Sequence, residues 1–210
     1  MIATRDIAGV DWRETARVWP RYLLMYVIPV TALAFVLTAP HPWYLAIVWN
    51  FIPTPLKLLD AKGIAVRENP EGLARAPFDV HVYLLAAMQL VTLGLFGAMV
   101  AEHGFWRVDT VVGVLLVGGA AANSTIVIAH ELIHRRERIA RLVGRLLLVS
   151  VFYEHFYTEH VRGHHVRVGT PEDPATARFG ESFWHFYRRT IPAQFRSAWR
   201  LETARLGDVD

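Results

Sequence analysis

TVVGVLLVGGAAANSTIVIAHELIH, residues 110–134, carries an uncharged apolar run straight into a pair of histidines. From Thr110 to Ala129 there is no Asp, Glu, Lys or Arg, and about 20 mostly apolar residues suffice for a helix to cross a bilayer. His130 and His134 follow at once. Residues four apart on a helix share a face, so the two imidazoles can hold one metal ion between them. Some thirty residues on, His160-Val161-Arg162-Gly163-His164-His165 offers a second group. His160 and His164 repeat the four-residue spacing, and His165 points about 100° further round, toward a second ion. Five histidines exceed the needs of one catalytic zinc and point to a dinuclear centre.

Working outward, the chain of 210 residues is 53% hydrophobic, slightly above the ~45–50% of soluble domains. The excess sits in the first two thirds, while the last third is crowded with arginine. That is the pattern of a membrane protein with a water-facing end. Expected spans are Tyr22–Thr38, Trp43–Leu59 (kinked near Asn50, Pro53 and Pro55), Val80–Ala101 and Thr110–Ala129. Leu146–Phe156 is long enough only for a re-entrant or interfacial helix. The fold class is therefore all-α, a polytopic helical membrane bundle of about four spans. It reads as one membrane domain over residues 1–210, with a polar N-terminus at 1–20, spans within 22–129 and a histidine-box region at 130–210. No cleavable signal pattern precedes the first span, which is expected to act as the anchor.

Charge sets the expected orientation. Arg5, Arg13, Arg17 and Arg21 precede the first span, and Arg135, Arg136, Arg138, Arg141 and Arg145 follow the fourth. Four crossings put both groups on one side, which the positive-inside rule makes cytoplasmic. The short connections at 39–42 and 102–109 then face outward. The net charge of +3 reflects these flanks beside anionic lipid; no nucleic-acid motif interleaves with them. The absence of cysteine excludes thiolate and iron–sulfur ligation. Any metal must be held by histidine and carboxylate.

Several residues allow a plain reading. Small residues at Gly118-Gly119-Ala120-Ala121-Ala122 let helices pack closely in lipid. His41, His81 and His185 have no partner at ligand spacing and read as solvated interfacial residues, and His103 as a residue of the opposite face. Glu131, Glu154, His155 and Glu159 are near enough in sequence to orient the box histidines. Trp49 reads as a packing or lipid-facing residue, or as a wall of a substrate tunnel. HELIH alone would suit a zinc peptidase, with two histidine ligands and Glu131 as base, but that leaves the second box idle. Imidazole suits iron as well as zinc.

The two boxes, with Arg135 after the first and Glu159 before the second, resemble those of the membrane alkane 1-monooxygenases. Thr170-Pro171-Glu172-Asp173-Pro174-Ala175-Thr176-Ala177-Arg178-Phe179-Gly180-Glu181-Ser182 is similar to the segment after the second box in that family. Ile191-Pro192-Ala193, Phe195 and Ala198-Trp199-Arg200-Leu201-Glu202 continue the likeness, as do Leu58-Leu59-Asp60, Gly63 and Asn69-Pro70 upstream. Desaturases and other hydroxylases share the boxes; the Thr170–Ser182 segment favours the alkane branch over an acyl desaturase or an aryl-methyl monooxygenase.

The resemblance implies an integral protein of the bacterial inner membrane holding two non-haem iron ions at cytoplasmic histidine boxes. It would hydroxylate the terminal carbon of an alkane with O2, on electrons from rubredoxin and its reductase. It implies His130, His134, His160, His164 and His165 as iron ligands. A third histidine box and two further spans of the family have no counterpart here. The ligand set is thus expected to be incomplete, and the chain reads as a truncated or partial form, inactive by itself.

Overall fold

The computed structural model describes residues 10–55 and 71–207. The described secondary structure is helical throughout. The chain packs as two compact units, residues 1–128 and 129–210.

In the first unit, α1 (Trp12–Val18) starts on Asp11, whose side chain accepts hydrogen bonds from the Arg13 and Glu14 N–H groups at 2.9 Å each, as an N-cap should. The helix tightens into a 3-10 stretch over Trp19–Tyr26 and continues as α2 (Val27–Thr38). Together they form one apolar helix, Trp12–Thr38. Arg75–His103 (α4) is the second such helix, and Val108–Ile133 the third. The third is built from α5 (Val108–Ala120), a wide π turn (Ala121–Thr125) and α6 (Ile126–Ile133). At about 1.5 Å per residue each reaches roughly 40 Å, enough to cross a membrane. Ala32, Phe35, Val36, Ala46, Met99, Val112, Leu116 and Val117 make their shared core.

The second expected span takes another form. Trp43–Trp49 (α3) is helical for seven residues, then the chain turns through Asn50–Pro53, where proline interrupts the helical ladder. Residues 56–59 and most of the loop with Leu58-Leu59-Asp60, Gly63 and Asn69-Pro70 lie outside the described residues. The chain nevertheless returns to the end from which it started. The Asp11 N–H donates to Gly72 O, and the Ala74 N–H to Thr15 Oγ1, both at 2.9 Å. At the other end the His41 N–H and ring Nδ1 both meet Asp109 Oδ1, at 2.9 and 2.8 Å. Among the described residues, 43–55 do not form one continuous helix.

His41 and His81 are not solvated residues. The His41 side chain is 8% exposed, stacked on Phe35 and bonded to the buried Asp109. His81 is buried with its Nδ1 2.9 Å from Tyr26 Oη and its ring stacked on Trp19. Each replaces water with aromatic surface and a specific partner, which burial of a polar ring demands. Trp49 packs on Phe35 and His41, the packing role. A Cβ on Gly118 or Gly119 would meet nothing within 4 Å, whereas one on Gly113 would strike the Phe96 ring. The close approach in this unit is at Gly113.

The second unit begins at Ala129. After Ile133 a four-residue link leads to α7 (Arg138–Ser150). The expected helix over Leu146–Phe156 is thus displaced. Residues 146–150 form the end of α7, and Phe152 then adopts a left-handed backbone, φ +58°, breaking the run. Then come α8 (His155–Thr158), a π turn (Glu159–His164), α9 (His165–Arg167) and α10 (Phe183–Leu206). Gly144 lets α7 sit tight on the first box: a Cβ there would be 2.9 Å from Leu132 and Ile133 and 3.0 Å from Ala129 O.

Candidate metal centre

His130 stands in the last turn of α6 and His134 just beyond it, so the four-residue spacing works as read from the sequence. Their Nε2 atoms are 3.3 Å apart. From the second box, His160 Nε2 lies 2.8 Å from that of His130 and 3.0 Å from that of His134. His165 joins them, its Nε2 3.1 Å from that of His160.

The second box departs from the expected pairing for a backbone reason. Residues 159–164 form a π turn, whose i→i+5 hydrogen bonds widen the coil. Residues five apart then share a face, so His165 lines up with His160. His164 turns aside, and its Nδ1 is 2.9 Å from Asp173 Oδ2. The structure therefore brings ligand atoms of His130, His134 and His160 within 4.8 Å of one another, with His165 against His160 and His164 beside them.

Hydrogen bonding alone cannot account for this group. His160 Nε2 faces three other Nε2 atoms at 2.8–3.1 Å, yet one ring nitrogen has a single proton or a single lone pair. At most one of the three contacts is a hydrogen bond. The others set lone pairs against each other unless a cation lies among them. With metal–nitrogen bonds of ~2.0–2.1 Å, neighbouring ligands stand about 3.0–3.4 Å apart, close to what is seen. Burial of His160, with the imidazoles of His130, His165, His134 and His164 around it, pushes its pKa down to about 4. His134 is lowered likewise by burial and its neighbours. Both are neutral near pH 7, the form that ligates metal.

Around this group the carboxylates find other work. Glu131 pairs with Arg135 at 3.1 Å, and Glu154 with Arg145 at 2.6 Å. Glu159 is fully buried and pairs with Arg167 at 2.9 Å, which also donates to Ser197 Oγ. Burial outweighs that pairing and raises the Glu159 pKa. His155 lies between Tyr153 and Phe195. None of the four orienting candidates bonds a box ring among the described residues. Asp173 takes that role for His164, and sequence spacing gave no sign of it. Burial opposes its ionisation, but bonds from Thr176, the Ala175 N–H and His164 prevail and lower its pKa.

Asp173 is held by the segment that contains it. Arg189 of α10 donates to Pro174 O at 3.1 Å, to Thr176 O at 3.0 Å and to Glu181 at 2.8 Å, while the Thr190 hydroxyl donates to Pro174 O. The Glu181 pKa falls to about 2, chiefly through the Arg189 bonds. His185 is exposed beside Glu181 at 3.0 Å. Farther along α10, Gln194 and Glu202 accept from Tyr153 and Thr158. The α10 helix thus braces both the second box and the segment that orients His164.

Comparison with known proteins bears on the family of the chain. Residues 108–208 match the family model described as fatty acid desaturase. The chain is 34% identical to alkane 1-monooxygenase 2 of Pseudomonas aeruginosa over 174 residues, covering 79% of this chain and 45% of that protein. It is 46% identical over 130 residues to alkane 1-monooxygenase 1 of the same organism, covering 60% of this chain and 34% of the relative. With alkane 1-monooxygenase of Pseudomonas putida the identity is 46% over 91 residues, covering 43% and 22%. The chain spans less than half the length of these curated relatives. Apolar helices of membrane-crossing length, an all-helical frame and this likeness lead to one conclusion: the chain is similar to part of the alkane 1-monooxygenases, and its residues 108–208 to the fatty acid desaturases.

Proposed function

We propose that this chain carries histidine ligands of a non-haem iron monooxygenase that hydroxylates the terminal carbon of alkanes with O2. The observation that carries the reading is the convergence of His130, His134 and His160 within 4.8 Å of one another, with His165 Nε2 a further 3.1 Å contact of His160 Nε2. His130, His134, His160 and His165 would hold one ion. His164, its Nδ1 kept by Asp173, has Nε2 left to ligate as the fifth member. Iron, when bound, supplies the redox chemistry toward dioxygen that zinc lacks. The described residues form one converging set, so a second iron would need ligands in addition to these. The chain's own contribution is positional: the π turn sets His165 in register, Asp173 orients His164, and Phe156 stacks on His160 to keep water from one side.

A zinc peptidase is the weaker reading. Its metal needs a free general base, whereas Glu131 is paired with Arg135, and it leaves His164 and His165 without a role. An acyl desaturase or aryl-methyl monooxygenase differs in substrate, not in site. Rubredoxin, fed by its reductase, is the proposed electron donor. The inner membrane is the proposed location, with the boxes at the cytoplasmic face, where the positive-inside rule places Arg135–Arg145.

The test replaces the matching segment of Pseudomonas aeruginosa alkane 1-monooxygenase 1 with this chain's residues and feeds octane to cells under labelled O2. Labelled 1-octanol that disappears with His160→Ala supports the proposal. An alkene product, or a well-expressed iron-loaded chimera that leaves octane untouched, overturns it.

A further inference from the structure

We propose that α7 lies in the plane of the membrane surface, with an apolar stripe in the acyl boundary and an arginine row against anionic lipid headgroups. The helix has three faces. Ala140, Gly144, Leu147 and Leu148 are buried and form the protein-facing side. Ile139, Leu142, Leu146 and Val149 recur every three or four residues, and all are exposed, Ile139 by 74% and Leu142 by 67%. At 100° per residue they cover an arc of about 80°. Arg138, Arg141 and Arg145 fill the arc of about 60° directly beside them.

A helix that merely covers a core turns polar residues outward. This one turns four large aliphatic side chains outward in a row. Phe152 prolongs the stripe past the helix end: its left-handed backbone, uncommon for a bulky residue, leaves the ring 96% exposed. A second apolar medium is therefore required on this side.

Position identifies that medium as lipid. Gly144 presses α7 onto Ala129, Leu132 and Ile133, the last turn of the third long helix. Only residues 134–137 separate the two helices. A helix fastened to the end of a membrane-crossing segment sits at the bilayer edge. There an apolar stripe enters the acyl boundary while flanking arginines meet phosphate. Arg145 is shared with Glu154, so Arg138 and Arg141 are assigned to the headgroups. The inference rests on the membrane reading of the long helices and is independent of the metal reading.

The chain has no cysteine, which makes the test direct. Leu142→Cys, Leu146→Cys and, as a water-facing reference, Glu172→Cys are made singly in the full chain. Each is labelled with bimane and reconstituted into phosphatidylcholine vesicles containing phosphatidylglycerol. Retained helical circular dichroism certifies each variant. At positions 142 and 146, doxyl lipid is expected to quench strongly and iodide weakly, with the reverse at 172. Doxyl-phosphatidylglycerol should outperform doxyl-phosphatidylcholine severalfold at 142. Adding Arg138→Gln and Arg141→Gln should bring that ratio toward one, each arginine contributing up to roughly fivefold. Iodide quenching at 142 equal to that at 172 overturns the proposal, as does protection from both quenchers, which means a protein cover. Equal quenching by the two lipids in the parent chain overturns the arginine assignment. Loss of metal binding in His160→Ala leaves all these readings unchanged.

Discussion

Gly163→Ala offers a test in which even the sign is informative. Gly163 lies in the π turn of the second box, where the Glu159–Arg167 pair crosses its α-carbon. A methyl there would stand 2.5 Å from both Glu159 Oε2 and Arg167 Nη2, and 2.6 Å from Glu159 Cδ. Ordinary contact starts near 3.4 Å, so the pair must retreat by about 0.9 Å. Glu159 is fully buried and has nowhere to go. Separating a buried ion pair costs about 3–5 kcal/mol. Arg167 is 30% exposed and can relax toward solvent, which favours the lower end. Alanine's better helix propensity returns up to ~1 kcal/mol. The net expectation is a loss of about 2–4 kcal/mol, or roughly 4–16 °C in midpoint for a chain of this size. Thermal unfolding in detergent, followed by circular dichroism, measures it. Gly118→Ala is the control: nothing lies within 4 Å of its Cβ, so it should be neutral or stabilising by up to ~1 kcal/mol. If Gly163→Ala behaved like the control, the close passage of Glu159 and Arg167 over that glycine would be refuted.

Three further outcomes are expected. In the purified chain under anaerobic conditions, Co(II) should give a ligand-field spectrum saturating at one ion, lost in His160→Ala; Asp173→Asn should weaken binding by about 10–100-fold while the fold is kept. Asp109→Ala should cost about 2–4 kcal/mol, because two His41 donors lose their acceptor in a buried site; chemical denaturation in detergent reads it. Glu181 has a folded pKa near 2 against an ordinary 4.5. Its stabilisation is therefore complete above pH 4.5 and lost as pH falls toward 2. Glu181→Gln should remove that part of the acid dependence, measured as unfolding midpoint against pH.

The apolar segments and the first histidine pair were legible because each depends on local order alone. Thr110–Ala129 announces a spanning helix by length and lack of charge, and His130 and His134 need only one helical turn. In the second box regular α spacing pairs His164 with His160, whereas the structure brings His165 Nε2 to 3.1 Å from His160 Nε2. The π turn at Glu159–His164 exchanges His164 for His165, and nothing in the local pattern reports it. His41 and His81 seemed solvated because their partners, Asp109 and Tyr26, are 68 and 55 residues away. Trp43–Leu59 looked like a span by hydropathy, but proline ends its helix early.

By itself, then, the sequence determined the solvent of this protein and the chemistry of its ligands: apolar helices for lipid, imidazoles without thiolates for metal, arginines for the boundary. Those properties belong to residue types and short spacings. Only the tertiary structure decided which imidazoles meet, that Asp173 orients His164, and that α7 turns an apolar stripe outward beside its arginines. These depend on backbone register and on packing between segments far apart in the chain, where a shift of one residue moves a side chain to another face.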